Sequence, residues 1–196
     1  MSIINVVGAK IWGGGEQYVY DICKQLQQRH RTAYILVDQS NEDMQSRYAQ
    51  VGYVMTANLY TLKGFLSVNA VAKQVKAQGI DTIVCHSGKY ILFCIALKQL
   101  TGAKLVFIKH NLVPGKTDMY HRWINAQVDA FVCVSKLVYD DLMTPVIKDT
   151  SKYHVVYNGI DPDRFQSFSD AVPMKSKVRT FGYSARITER KGLYLI

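Results

Sequence analysis

The chain has 196 residues, of which 48% are hydrophobic and 20% are charged, with 24 Lys and Arg against 15 Asp and Glu. This apolar content excludes a disordered chain, and no apolar stretch approaches the roughly 18 residues that a membrane-spanning helix requires. The formal net charge of +9 at pH 7 favours anionic ligands or surfaces. Because the basic residues are dispersed, without an arginine-rich run or an RNP-type aromatic motif, we expect no nucleic-acid partner.

Each of the four cysteines lies alone in an apolar segment, without a CxxC pair or a histidine at ligand spacing. They are Cys23, Cys85, Cys94 and Cys133. This pattern favours buried free thiols in a reducing compartment over a zinc site or a disulfide framework. Residues 2–7 lack the basic leader of a signal peptide and run straight into a glycine turn, as a first core strand would. We therefore expect a cytoplasmic protein.

Short β-branched runs alternate along the chain with segments of helical periodicity. Strands are predicted at residues 3–7, 33–37, 81–85, 104–108, 129–134 and 154–157. Helices are predicted at residues 16–29, 42–50, 65–76, 90–97 (with Ser87 as cap) and from the cap Ser135 through Leu142. Nearly continuous hydrophobic strands, each followed by a helix, are typical of a parallel sheet covered on both faces. The sequence therefore predicts an α/β fold with a doubly wound, Rossmann-like parallel sheet.

The fold prediction also locates the ligand-binding edge and the domain boundaries. Ligands of such sheets bind beyond the carboxyl ends of the strands, where residues 8–15, His86 and the pair His110 and Asn111 should lie together. The composition turns polar near the end of the chain, as in a linker between domains. We predict a first domain at 1–165, a linker at 166–177 and the incomplete start of a second domain at 178–196.

Three consecutive glycines, Gly13, Gly14 and Gly15, follow the first predicted strand and lead into a helix. A glycine-lined helix N-terminus allows close approach to the backbone and presents unpaired N–H groups, which suits a phosphate. A glycine triplet is equally compatible with a flexible loop, so both interpretations stay open here. The dinucleotide fingerprint GxGxxG is absent because Gly8 is followed by Lys10 at the second glycine position, which disfavours a nicotinamide dehydrogenase.

Two histidines and two cations are the other candidates for chemistry. His110 directly follows a predicted strand, where an imidazole can bond a sugar hydroxyl or transfer a proton, and His86 ends its strand in the same way. A purely structural role is the alternative for both. Arg186 and Lys191 flank the start of the last predicted helix, where they would either clamp an anion or form a solvated face.

Four motifs, in order along nearly the whole chain, resemble those of glycosyltransferase family 4. Residues 13–17 (GGGEQ) resemble its GGxE opening, residues 132–135 (VCVS) its VxVS segment, residues 155–165 (from VVYNGID to Phe165) its V(I/Y)NG(I/V)D…F segment, and residues 181–192 its GR…EKG segment. Two positions depart from the pattern: Ala185 replaces the usual Gly and Arg190 the usual Glu. The paired glutamates of the family have no counterpart.

The resemblance implies a GT-B architecture, in which two Rossmann-like domains face each other across a cleft and this chain is mainly the acceptor-binding half. It implies a retaining, hexosyltransferase-type enzyme that needs neither a metal nor a cofactor. The donor would be a nucleotide-sugar, and the acceptor a polysaccharide, lipopolysaccharide or glycolipid. Because most of the donor-binding domain is lacking, we expect the isolated chain to be inactive.

The same resemblance assigns roles to individual residues. His110 would be the catalytic residue beside the transferred sugar. The donor diphosphate would be bound by Gly14, Gly15, Arg186 and Lys191, and the acceptor by Gly13, His86 and Asn111. The positive charge further predicts peripheral association with an anionic membrane, at the inner face of the plasma membrane.

Two other functions compete with this one. A non-catalytic α/β module that binds a ligand or a partner would show the same pattern of strands and helices. A nucleotide-sugar epimerase is disfavoured by the missing dinucleotide fingerprint and by the lack of a YxxxK pair at a suitable place.

Overall fold

The computed structural model describes residues 2–60, 62–143 and 150–160 together with Gly182. The chain divides into two units, Met1–Gly159 and Ile160–Ile196, and every helix and strand given below belongs to the first. The predicted linker at 166–177, Arg186 and Lys191 lie outside the described residues, as does the predicted start of a second domain at 178–196 apart from Gly182. The predicted domain boundaries therefore stay predictions.

In the described part of the chain, seven parallel strands form one sheet in the order β3-β2-β1-β4-β5-β6-β7. The strands are β1 (Ile3–Val7), β2 (Tyr34–Asp38), β3 (Tyr53–Ala57), β4 (Thr82–Cys85), β5 (Lys104–Lys109), β6 (Ala130–Cys133) and β7 (Tyr153–Val155). The order reverses between β1 and β4, and such a switch point opens a crevice at the carboxyl ends of the strands. The prediction of a doubly wound, Rossmann-like α/β fold is confirmed.

Helices connect the strands and cover the sheet. They are α1 (Gly14–Gln28), α2 (Glu42–Ala49), α3 (Leu62–Ala77), α4 (Ile91–Thr101), α5 (Met119–Gln127) and α6 (Lys136–Met143). The predicted cap of α6 forms, since the Ser135 hydroxyl accepts a hydrogen bond from the Val138 N–H. The Ser87 hydroxyl accepts one from the Lys89 N–H, but it caps a short 3₁₀ helix, Gly88–Tyr90, that precedes α4, and no side chain caps α4 itself. Among these described helices, none has the length and apolarity needed to cross a membrane.

Alternating strand residues build two cores, one on each face of the sheet. On one face, Ile35 and Val37 pack with Val19 of α1 and Tyr48 of α2. On the other face, Leu36 belongs to a larger cluster with residues of α3, α4, α5 and α6. Burial of one such aliphatic or aromatic side chain stabilises the fold by about 1.5–3 kcal/mol. All four cysteines are buried free thiols, as the sequence predicts.

Two elements are not predicted by the sequence. Strand β3 lies at the edge of the sheet, where Tyr53 is exposed while Met55 is buried. Helix α5 buries only Ile124 and exposes much of its apolar surface. In both elements the apolar pattern is weak because one side of the element does not pack against the core.

Gly8 lies directly after β1, where the chain passes close to two tyrosines. A Cβ atom at this position would lie 2.8 Å from the hydroxyl oxygen of Tyr60 and 2.8 Å from Cδ1 of Tyr90. The two tyrosine rings contact each other edge to face, with centroids 6.3 Å apart, and Tyr90 is buried. Glycine therefore allows β1 to end against this pair of rings.

We predict that Gly8→Ala lowers the free energy of unfolding by about 1–3 kcal/mol, because the buried Tyr90 ring must move to admit a methyl group. Urea denaturation measures the loss. Gly14→Ala is the matched control, since a Cβ at Gly14 has no heavy atom within 4 Å, and we expect it to change stability by less than about 0.5 kcal/mol. Equal stability of the two variants would contradict the close packing at Gly8.

Candidate functional site

Three segments that follow neighbouring strands meet at the carboxyl edge of the sheet. The loop after β1 leads into α1, His86 follows β4, and His110 follows β5. The imidazoles of the two histidines are hydrogen-bonded, with 3.0 Å between Nδ1 of His86 and Nε2 of His110. A Cβ atom at Gly15 would lie 3.9 Å from Cδ2 of His110. The predicted edge thus brings Gly15, His86 and His110 together.

A buried side chain of the central strand supports the histidine pair from below. The side-chain oxygen Oδ1 of Asn5 lies 3.1 Å from Nε2 of His86. The amide nitrogen of Asn5 faces the Sγ atom of Cys23 at 4.0 Å. Asn5 is 4% exposed, and it is one of the few polar side chains buried in the described residues. Analysis of the sequence did not identify it as a site residue.

The aromatic ring of Tyr18 packs against both imidazoles. Its centroid lies 5.2 Å from that of His110 and 6.2 Å from that of His86, and the planes of the two imidazoles are 22° apart. Burial and, as a smaller cause, the positive charge that His110 would carry together lower the pKa of His86 to about 3. Burial also lowers the pKa of His110 and raises that of the Tyr18 hydroxyl. Both imidazoles are therefore neutral at pH 7.

Side-chain contacts hold the loop that precedes the three glycines. The indole N–H of Trp12 donates to Oε1 of Gln17, and the Trp12 ring lies 5.3 Å from the Tyr48 ring. From the start of α2, Nδ2 of Asn41 donates to the carbonyl oxygen of Ala9 at 3.0 Å. These contacts favour an ordered loop over the flexible loop that the sequence left open.

Helix α1 begins at Gly14, with Gly13 as its N-cap. No side chain caps this end, so the first backbone N–H groups of the helix stay available to a ligand. Together with the helix dipole, such groups attract an anion. The Gly14 backbone is exposed, and Gly15 lies beside His110. The N-terminus of α1 thus presents a positive partial charge next to a neutral imidazole.

Lys109, the last residue of β5, adds a cation near this edge. Its ammonium lies 4.4 Å from the centroid of the Phe107 ring, and burial lowers its pKa. Lys109 is not among the site residues predicted from the sequence, although a lysine that ends an apolar strand is a signal for such a position. Asn111 is exposed next to His110.

The predicted donor-binding cations Arg186 and Lys191 lie outside the described residues, so their part in the site stays a prediction. Within residues 2–60, 62–143 and 150–160, no group of three or more His, Cys, Asp and Glu side chains is arranged to hold a metal ion.

Comparison with known proteins identifies a family and a fold. The model of glycosyltransferase family 4 matches residues 12–164. No curated protein sequence matches the chain significantly. Among solved structures, a glycosyltransferase from Rickettsia africae has a TM-score of 0.69 at 20% identity, and the match covers 84% of this chain and 45% of that one.

Two further structures have the same fold. HepE from Anabaena, in complex with UDP and glucose, has a TM-score of 0.62 at 18% identity, with 83% of this chain and 46% of that chain covered. The lipopolysaccharide outer core galactosyltransferase WaaB has a TM-score of 0.59 at 15% identity, with 82% and 46% covered. These neighbours are GT-B glycosyltransferases, and the chain spans about half of their length. Likeness at such low identity shows the fold.

We predict that the neutral state of His86 makes stability fall in acid. The unfolded chain has an ordinary histidine pKa near 6.5, against about 3 when folded, so between these values the unfolded chain binds more protons. The free energy of unfolding should fall by up to about 1.4 kcal/mol per pH unit below pH 6.5 through this group alone. Urea denaturation between about pH 7 and pH 5 measures the slope.

His86→Gln should reduce this slope because glutamine does not titrate. The reduction should be larger than in the control His154→Gln, which replaces an exposed histidine of β7. Tyr18, which packs on the two histidines, and Cys23, which faces Asn5, do not change charge in this range, because burial raises the pKa of the Tyr18 hydroxyl, and that of the Cys23 thiol to about 12. An unchanged slope in His86→Gln would contradict the burial of an uncharged imidazole.

Proposed function

Because the chain belongs to glycosyltransferase family 4, we propose that it is the acceptor-binding half of a retaining glycosyltransferase. The enzyme would transfer a hexose from a nucleotide-sugar to a polysaccharide, lipopolysaccharide or glycolipid acceptor. One observation carries the proposal for this site: the uncapped N-terminus of α1 lies against the imidazole of His110, at the switch point of the sheet. That arrangement suits a sugar joined to a diphosphate.

The diphosphate of the donor would bind at the N-terminus of α1. The N–H groups of Gly14 and Gly15 have no side-chain cap, and the helix dipole adds a partial positive charge. As the bond between sugar and phosphate breaks, negative charge grows on the departing diphosphate, and fixed dipoles stabilise it without reorganisation. Arg186 and Lys191 would add two cations, so that no metal is needed.

His110 would act beside the transferred sugar. Since burial lowers its pKa, its imidazole is neutral and bonds a sugar hydroxyl in preference to a phosphate. Gly13 and Asn111 would line the acceptor side of the same crevice, and His86, the third predicted acceptor-binding residue, would contribute through its hydrogen bond to His110. The complex of HepE with UDP and glucose supports a UDP-linked sugar as the first donor to test, and the name of WaaB supports a lipopolysaccharide acceptor.

We predict that UDP-glucose binds at this edge of the sheet. Titration of the ¹⁵N-labelled chain should shift the amide signals of residues 13–15 and the ring signals of His110, because the diphosphate and the sugar would lie against them. UDP alone should shift the glycine amides with a smaller effect on His110, and glucose alone should have little effect on the amides. If neither these donors nor other nucleotide-sugars shift the signals of a folded chain, the proposed site is wrong.

An assay of sugar transfer tests whether this chain is the acceptor-binding half of the enzyme. We expect the isolated chain to transfer sugar from labelled donors very slowly or not at all, since it spans about half the length of the glycosyltransferase structures that it matches. Rapid transfer by the isolated chain would overturn its assignment as the acceptor-binding half. Binding without transfer, even after a donor domain is supplied, would favour the non-catalytic module.

An exposed apolar surface next to the site would face the membrane in which a lipid-linked acceptor lies. We call it the α5 surface, and it consists of Leu112, Val113, Met119, Tyr120 and Trp123, all exposed. It begins directly after His110 and Asn111, and it carries the exposed cations Lys116 and Arg122. Exposed aromatic and apolar side chains beside cations are typical of proteins that bind anionic lipid surfaces.

We predict that the chain cosediments with vesicles of phosphatidylglycerol and phosphatidylcholine more strongly than with neutral vesicles, and less strongly at higher salt. Met119→Gln with Trp123→Gln should weaken this binding at least about tenfold, since each side chain contributes about 1.5–3 kcal/mol when fully buried. The control is Tyr53→Gln with Leu100→Gln, which changes two exposed apolar side chains outside the α5 surface, one in the edge strand β3 and one in α4. If both double variants weaken vesicle binding equally, the α5 surface is not the surface that binds the membrane.

A further inference from the structure

Three side chains from consecutive positions across the sheet form one chain of hydrogen bonds. Asn5 of β1 contacts His86 after β4, with 3.1 Å between Oδ1 and Nε2. His86 contacts His110 after β5, with 3.0 Å between Nδ1 and Nε2. Each imidazole nitrogen of His86 thus has one partner, and the order of the strands places the three side chains in series.

The chemistry of the three groups fixes the direction of the hydrogen bonds. The carbonyl oxygen of Asn5 only accepts, so Nε2 of His86 carries the proton and donates. A neutral imidazole has one N–H, and therefore Nδ1 of His86 accepts. The bond between the histidines then requires that Nε2 of His110 carries the proton. Neutrality of His86 follows from its burial, which lowers its pKa to about 3.

The remaining nitrogen of His110 is left with a lone pair. Within the part of the chain that the structure describes, no side chain forms a hydrogen bond with Nδ1 of His110. Tyr18 covers one side of the two rings, and Gly15 lies beside Cδ2 and Cγ of His110. The ring of His110 is therefore held by contacts at Nε2 and Cδ2, while Nδ1 is available to a ligand.

We propose that Asn5 and His86 are positioning residues that hold His110 with its proton on Nε2, so that Nδ1 selects a ligand hydroxyl that donates a hydrogen bond. The identity of that hydroxyl as a sugar hydroxyl rests on the proposed function. The tautomer itself depends only on the three side chains. A hydroxyl can donate to Nδ1, whereas a phosphate or carboxylate oxygen cannot. The chain of hydrogen bonds therefore makes Nδ1 of His110 bind the sugar part of the ligand in preference to the diphosphate.

The burial of Asn5 supports a specific role for its amide. Burial of an amide costs about 1–3 kcal/mol wherever its hydrogen bonds are left unmade, and an apolar residue would fit this central strand without that cost. Both polar atoms of the Asn5 amide have a partner, since Oδ1 faces His86 and Nδ2 faces Sγ of Cys23. The register that pairs Asn5 with Val84 places the amide directly below His86.

NMR of the imidazole nitrogens in the unliganded chain tests the proposal, because protonated and unprotonated ring nitrogens have well-separated ¹⁵N shifts. In the wild type, we expect His110 to be protonated on Nε2 and unprotonated on Nδ1, with slowly exchanging N–H protons on both histidines. Protonation of His110 on Nδ1, which a reversed chain of bonds would produce, overturns the proposal.

Asn5→Leu and Asn5→Asp form a matched pair. Leucine removes the acceptor, so the N–H signal of His86 should be lost to exchange with water and His110 should populate both tautomers. Aspartate keeps an acceptor oxygen, and at a pH high enough to keep His86 neutral beside the carboxylate it should preserve the wild-type tautomer of His110. A folded Asn5→Leu variant with the wild-type pattern would show that Asn5 only packs.

A second pair of variants, at His86, tests the positioning role if Asn5→Leu does not fold. Glutamine in His86→Gln retains both an acceptor for His110 and a donor for Asn5, whereas phenylalanine in His86→Phe retains neither. We expect the single tautomer of His110 to persist in the first variant and to be lost in the second. The same pattern in both variants would overturn the role of His86.

Titration with nucleotide-sugars tests whether a ligand hydroxyl donates a hydrogen bond to Nδ1 of His110. UDP-glucose should shift the Nδ1 signal of His110 in the direction of an accepted hydrogen bond, and one deoxyglucose analogue of the donor should fail to do so. A single tautomer of His110 with no response to any nucleotide-sugar would contradict the proposed function but support the positioning role of Asn5 and His86. A mixture of tautomers with normal binding of the donor would contradict the positioning role but support the proposed function.

Discussion

The parallel pairing of β1 with β4 is the interaction on which the site depends. Its register pairs Asn5 with Val84, and two residues later the chain reaches His86 at the end of β4. A shift of one residue would turn the Asn5 side chain to the other face of the sheet, and the hydrogen bond to His86 would be lost. The pairing of β4 with β5 extends the same alignment to His110, which follows β5 directly. The geometry of the three side chains is therefore a consequence of backbone hydrogen bonds in the middle of the sheet.

Much of this arrangement could be predicted because the central strands are buried on both faces. A buried strand such as Leu105 to Ile108 is a continuous apolar run, and the first polar residues after it mark the edge where ligands bind. His86 and His110 were found in this way. Strand β3 and helix α5 were not, since Tyr53 and Trp123 are exposed and the apolar period that reveals an element comes from packing against a core.

Asn5 and the glycine loop show a second limit of sequence analysis. In the sequence, Asn5 is a polar residue inside a strand, and the only local signal is that it interrupts an apolar run. Its function becomes visible when a partner 81 positions away is known. The order of the glycine loop likewise depends on contacts from distant segments, such as the packing of Trp12 on Tyr48 and the hydrogen bond from Asn41 to Ala9. No local pattern carries this information, because the sheet brings these residues together only after folding.

The neutral state of the histidine pair gives the two sides of the crevice different chemistry. A protonated His110 would present a second positive charge beside the N-terminus of α1, and both would attract the same phosphate. Burial under Tyr18 lowers the pKa of His110, so the helix N-terminus retains the preference for an anion while the imidazole offers a lone pair. A ligand that satisfies both groups must carry an anionic part and a hydroxyl part a short distance apart. A sugar esterified to a diphosphate has that structure, whereas inorganic diphosphate has only the anionic part and a free sugar only the hydroxyl part.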